Sequence, residues 1–184
     1  ALNRPIRNAC KQGIIVMTFD ASVTEPCAYH IGIDQNWGGA GPAEYLVDQL
    51  GGKGNIIVMG GYAGHYIDYA RTDGALEVFA QYPEINVLVR AYSQWNNAHA
   101  RSELSKIVAT HGWDKIDGLW TQTGCYMFSQ IQVEAGRGDN LKPCAGNGTN
   151  GHRLAISEKG TVPGSLSMHS SSMGSPNWLG AYGI

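Results

Sequence analysis

"NIIVMGGYAGHYIDYARTDGALEVFAQYPEINVLVRAYSQW", residues 55–95, is the stretch on which the fold turns. It opens on a short apolar run, "NIIVMGG" (55–61), of the kind that a strand covered on both faces carries. Residues 66–82 follow with helical spacing that turns Ala75, Val78 and Phe79 inward. "INVLVRAY" (85–92) is a second apolar run. Strand, helix and strand in that order make a βαβ unit, whose strands run parallel. Arg71 stands at the start of the helix and Trp95 just past the second strand. One sheet edge can therefore bring both to one cleft, because ligands of open parallel sheets sit beyond the carboxyl ends of the strands.

The same alternation extends in both directions. Upstream, "LNRPIRNACKQ" reads as a helix closing at Gly13, "GIIVMTFD" (13–20) as a buried strand, and "AYHIGID" (28–34) as another. "WGGAGPAEYLVDQLGG" (37–52) is a helix with Ala43, Leu46, Val47 and Leu50 on one face. Downstream come a helix over 98–112, a strand over 116–122, a helix over 125–136 and a short strand over 142–146. A helix over 150–160 and a final strand over 164–172 complete the series. The pattern predicts an α/β fold of three layers: a mostly parallel sheet with helices on both faces. The irregular "ASVTEPCAY" (21–29) interrupts it and reads as a crossing between two domains.

Composition excludes several classes. The chain has 184 residues, 43% apolar and 15% charged, which suits a packed globular protein. A net charge of −2 gives no electrostatic case for nucleic acid or an anionic membrane surface. The histidines lack metal-ligand spacing, and neither a metal nor a cofactor is indicated. "GGKGN" (51–55) precedes a strand instead of following one and lacks the phosphate-loop spacing, so it reads as a turn. "GGYAGH" (60–65) lies between strand and helix, where an anion site can form. Asp20 with His30 would imitate an acid–base pair, but no other catalytic constellation accompanies them, and the reading is not an enzyme.

The groups just past the predicted strands are Asp20, Ser93 to Asn96, Gln122 and Thr123, Asn147, and Ser170 to Ser172, with Arg71 nearby. Amides, hydroxyls, one acid, one guanidinium and one aromatic suit a neutral polyhydroxyl ligand: planar polar groups pair with vicinal hydroxyls, and an aromatic face covers the C–H face of a sugar ring. The competing reading makes Trp95 a core residue and Arg71 a helix-start partner of Asp68 or Asp73.

With "GIIVMTFD", "LGGKGNI", the R-x-x-G-ALE run, "YPEINVL" and "IDGLW" in this order, the chain resembles the ribose-type periplasmic sugar-binding proteins, the solute receptors of bacterial ABC importers. The resemblance covers residues 4–180 and implies a periplasmic binding fold of type I, with two α/β lobes and a sugar held between them. It implies that residues 1–28 are the last helix and strand of the first lobe plus a hinge crossing, that 29–168 are the second lobe, and that 169–184 return toward the first. The chain is then a fragment holding mainly the second lobe. Sugar contacts carry over to Asp20, Arg71 and Trp95. Thr123 and Asn147 stand where many members carry charged or longer groups, and Ser171 lies in the serine run that replaces a glutamine. The implied partners are a monosaccharide or polyol and a membrane permease. The implied location is the periplasm, or the outer surface of a Gram-positive cell. A dimer through exposed first-lobe surface is a further expectation for the fragment.

The four cysteines allow two disulfides in three connectivities, and the resemblance favours an oxidising compartment. Cys125 follows one predicted strand and Cys144 lies in the next, within disulfide reach if the strands are neighbours. Cys10 and Cys27 remain as the other pair. The rival function is the effector-binding core of a LacI-type transcription regulator, which shares the fold and needs no disulfides.

Overall fold

The computed structural model describes residues 2–19, 22–138 and 140–151, and the backbone of 168–171. The chain separates into two compact units, one containing the residues up to Asp34 and the other spanning Gln35–Ser171.

The first unit contains helix α1 (Asn3–Lys11) and strands β1 (Val16–Phe19) and β2 (Ala28–Ile31). β1 and β2 pair in parallel, Val16 opposite Ala28 and Phe19 opposite Ile31. The Cys10–Cys27 disulfide, with Cα atoms 6.4 Å apart, ties α1 to the segment that enters β2. Arg7 Nη2 meets Glu25 Oε2 at 2.7 Å beside it. β2 thus belongs with β1, and the break between the units falls at Asp34, later than the residue 28 boundary expected from the sequence.

The second unit holds α2 (Gln35–Leu50), β3 (Lys53–Gly60), α3 (Tyr66–Phe79), β4 (Glu84–Tyr92), α4 (Asn97–His111) and β5 (Gly118–Thr121). α5 (Cys125–Glu134), β6 (Cys144–Asn147) and β7 (Met168–Ser171) complete it. The strands form one parallel sheet in the order β4-β3-β5-β6-β7. Most of the helix expected over 150–160 and the start of the strand expected over 164–172 lie outside the described residues.

Alternation along the strands builds two cores. Ile56 and Val58 of β3, Trp120 of β5 and Ala145 of β6 face α2 and α3, where they meet Ala43, Leu46, Ala75 and Phe79. Their chain neighbours Ile57, Met59, Leu119 and Cys144 face α4 and α5, against Leu104, Phe128 and Ile131. A strand whose successive side chains are all covered must be apolar throughout, which is why "IIVM" does not alternate with polar residues. The three-layer expectation is met.

Two glycines let α2 and α3 pack closely. A Cβ on Gly39 would lie 1.8 Å from the Arg71 carbonyl oxygen, and one on Gly74 would lie 2.1 Å from that of Asn36. The "GGKGN" turn carries Gly51 at φ 62° and Gly52 at φ 78°, left-handed conformations that favour glycine, as the turn reading requires. Among the described residues no helix is long and apolar enough to cross a membrane.

Candidate ligand-binding site

The carboxyl ends of β3, β4, β5 and β6 share one edge of the sheet, and each strand delivers a different group there. After β4 the chain reverses through Gln94 and Trp95, at φ 51° and 49°. Two consecutive side-chain-bearing residues in the left-handed region cost about 1–3 kcal/mol each and persist only where surroundings hold them. Here Ser93 N and Ser93 Oγ both donate to the Gly60 carbonyl at 2.8 Å. Gln94 N donates to Gly61 O at 2.9 Å, and Trp95 N donates to Ser93 Oγ at 3.2 Å. The β4 turn is thereby fastened to the loop that leaves β3.

Trp95 is half-buried. Its indole lies against Gly61, where a Cβ would come within 2.1 Å of Nε1. The His65 ring meets it edge-on, centroids 4.9 Å apart and planes at 83°. Its Nε1 donates to Gln122 Oε1 at 3.0 Å. His65 also caps α3, Nδ1 accepting from Ile67 N at 3.2 Å. Trp95 is therefore not a buried core tryptophan, as one reading of the sequence allowed.

α3 begins at Tyr66, so Arg71 lies in its second turn and not at its start. The side chain is 6% exposed, and Nε donates to Gln35 Oε1 at 2.8 Å. Gln35 is the first residue of α2, held beside α3 by the Gly39 and Gly74 contacts. Asp68, suggested from the sequence as an Arg71 partner, is engaged elsewhere: Oδ1 accepts from Gly61 N at 2.6 Å and from Gln122 Nε2 at 2.9 Å. One amide of the "GGYAGH" segment, Gly61 N, is thus taken by the protein's own carboxylate. Burial pushes the Asp68 carboxyl above its ordinary range, against the opposing pull of the Gly61 amide, Gln122, Thr72 and the Arg90 charge.

Thr123 follows β5 and is buried. Its Oγ1 donates to Gln122 O at 2.7 Å, so the hydroxyl has lone pairs but not its proton to offer a ligand. Asn147 ends β6, opposite Ser171 in the register with β7. The Cys125–Cys144 disulfide, Cα atoms 5.5 Å apart, joins the start of α5 to the start of β6. It links the segments that carry Thr123 and Asn147. Asp20 and the Ser171 side chain lie outside the described residues.

The structure thus places Trp95, Thr123 and Asn147 at the carboxyl ends of three strands of one sheet, with Arg71 on the helix that leaves β3. Gln35, His65, Asp68 and Gln122 support them. Of these, Gln122 stood in the sequence among the residues after strands and His65 within "GGYAGH"; Asp68 was named only as a partner for Arg71, and Gln35 carried no signal beyond being polar. A guanidinium, amides, hydroxyl oxygens and an indole provide hydrogen bonds and a stacking surface without a nucleophile paired to a base.

A family profile described as periplasmic binding protein domain matches residues 1–175. The xylitol-binding protein of Mycolicibacterium smegmatis is 29% identical over 140 residues, which are 74% of this chain and 40% of the relative; the chain thus spans less than half the length of that relative. A solute-binding protein of an ABC transporter from Burkholderia graminis, in complex with D-arabinose, superposes with a TM-score of 0.74 at 19% identity, covering 90% of this chain and 62% of that one. One from Bacillus halodurans with bound myo-inositol also gives 0.74, at 15% identity, covering 90% and 61%. The match over nearly the whole chain, on an open parallel sheet with its polar groups at one edge, shows that the chain belongs to the periplasmic binding protein domain family.

Proposed function

We propose that the chain is part of a solute-binding protein of a bacterial ABC importer and that it binds a monosaccharide or polyol, with the carboxyl edge of its five-stranded sheet as one wall of the site. The observation that carries this reading is the grouping of Trp95, Arg71, Thr123 and Asn147 about that edge. Trp95 stacks on the C–H face of the ligand, Arg71 donates to its oxygens, Thr123 accepts from a hydroxyl, and Asn147 does both. Asp20 and Ser171 add an acceptor and a hydroxyl on this reading. On this reading Gln35–Ser171 lie in the family's second lobe, and the residues up to Asp34 hold the end of the first lobe with a crossing.

The ligands of the relatives named above, xylitol, D-arabinose and myo-inositol, support the class and leave the member open. Membership of a periplasmic binding family implies an extracytoplasmic location. The two disulfides fit an oxidising compartment and weigh against a cytosolic LacI-type regulator. The protein partner is a membrane permease. Ile14 and Ile15, 54% and 76% exposed, support pairing with a second copy as a further contact.

Calorimetric titration with xylitol, D-arabinose and myo-inositol tests the reading. At least one binds, and Trp95→Ala weakens it about 30-fold, the equivalent of about 2 kcal/mol, with the fold intact. Lost stability with unaltered affinity overturns the platform role, and silence toward all polyols and monosaccharides overturns the function.

A further inference from the structure

We infer that Gln122 is the positioning residue that fixes the plane of the Trp95 indole, and that Asp68 holds Gln122 in turn. The inference rests on the proposed function in one respect, the use to which that plane is put. The placement itself comes from hydrogen-bond chemistry.

Gln122 is 1% exposed, so its amide must find its partners inside the protein. On one side stand the Asp68 carbonyl oxygen at 3.1 Å, Asp68 Oδ1 at 2.9 Å and Thr72 Oγ1 at 3.2 Å from Nε2. A carbonyl oxygen cannot donate, so the NH2 end must face that side. On the other side stands Trp95 Nε1, which is a donor and never an acceptor. The oxygen end must face it. Both ends of the amide are assigned by what their neighbours can do, and the reversed orientation would set donor against donor and acceptor against acceptor.

The same carboxylate oxygen acts on the indole by a second route. Asp68 Oδ1 also accepts from Gly61 N at 2.6 Å, and Gly61 is the surface on which the indole rests. Asp68 therefore fixes the floor beneath the ring and, through Gln122, the ring's one hydrogen-bond donor. An indole with its N–H pinned and its Nε1–Cε2 bond packed against a glycine has little freedom about χ2. A stacking platform needs that rigidity, because a ring that must be ordered on binding loses affinity to the entropy of ordering it.

The test uses the indole 15N–1H signal of Trp95, assigned by its loss in Trp95→Phe, and Gln122→Met, which keeps the length and removes the acceptor. In the unsubstituted chain the Trp95 indole hydrogen should exchange with water at least about tenfold more slowly than that of free tryptophan. In Gln122→Met that protection should be lost while the fold persists. Where xylitol binds, Gln122→Met should weaken it about tenfold, and less than about twofold in the Trp95→Phe background, which has no indole hydrogen to pin. Equal losses in the two backgrounds, or an unchanged Trp95 signal in Gln122→Met, overturn the inference. Should Gln122→Met fail to fold, exchange in the unsubstituted chain decides: a Trp95 hydrogen as labile as that of free tryptophan refutes it. If no polyol or monosaccharide binds, the proposed function falls while the exchange measurement still judges Gln122.

Discussion

Asp68 shows how far one buried carboxylate can reach, since it holds the Gly61 amide and the Gln122 side chain at once. Its carboxyl is raised by burial, although Gly61, Gln122 and Thr72 all bond to it. A raised native value means that the folded state binds more protons than the unfolded state above the ordinary aspartate value of about 3.9. The stability tied to Asp68 is whole below that value and is lost as pH climbs through the raised native value. Asp68→Asn keeps an Oδ1 that can accept from Gly61 and Gln122 but does not ionise. Urea midpoints measured from pH 4 upward should therefore fall less steeply for Asp68→Asn than for the unsubstituted chain; parallel curves would show that Asp68 titrates normally. At this scale the sequence was partly legible. Position after a strand identified Trp95, Thr123, Asn147 and Gln122 as edge residues. It did not reveal that Gln122 meets Trp95, because that contact depends on which strands are neighbours. Nor did it reveal that Arg71 is buried in the second turn of its helix.

Among the elements, α2 and α3 set the geometry of Arg71. Their approach requires the absence of a side chain at Gly39, since a Cβ there would meet the Arg71 backbone, which cannot rotate aside. Gly39→Ala should push the helices apart, costing about 1–3 kcal/mol as overpacked cores do. It should also weaken ligand binding by lengthening the Gln35–Arg71 bond. Chemical denaturation and a xylitol titration of the same variant check both effects, and a variant as stable as its parent would mean that the helices slide without strain. The strands and helices themselves were readable from periodicity, because covered strands are uniformly apolar and amphipathic helices are not. The destination of β2 was not. A short strand such as "AYHI", with its tyrosine exposed, carries no pattern that says which sheet it joins, and it pairs with β1 and not with the five-stranded sheet. The β3–β4 register was equally hidden: it shifts between Ile56 and Ile57, so that Gly60 comes opposite Tyr92 and the Trp95 turn meets the β3 loop.

For the whole molecule, fold class and family were legible because a set of weak signals in fixed order constrains more than any one of them. The Cys125–Cys144 pairing was legible once β5 and β6 were taken as neighbours, whereas Cys10 and Cys27 were only the pair left over; the structure forms both bridges. The Cys125–Cys144 bridge spans a sequence separation of 19, for which chain entropy gives about 3 kcal/mol of stabilisation. A Cys125→Ala/Cys144→Ala double variant should lose about that much in urea unfolding, and a loss under about 1 kcal/mol would place the stability of this region in its packing instead.

The two bridges also define a covalent topology. One closes a ring between residues 10 and 27 and the other between 125 and 144, so each ring lies within one compact unit and neither encloses the junction between Asp34 and Gln35. A peptide bond cut inside either ring leaves the two pieces tethered until a reductant is added. A single cut at the junction leaves no covalent link between residues 1–34 and the remainder even with every disulfide intact. Oxidation therefore stiffens each unit from within and imposes no covalent restraint on the chain that connects them.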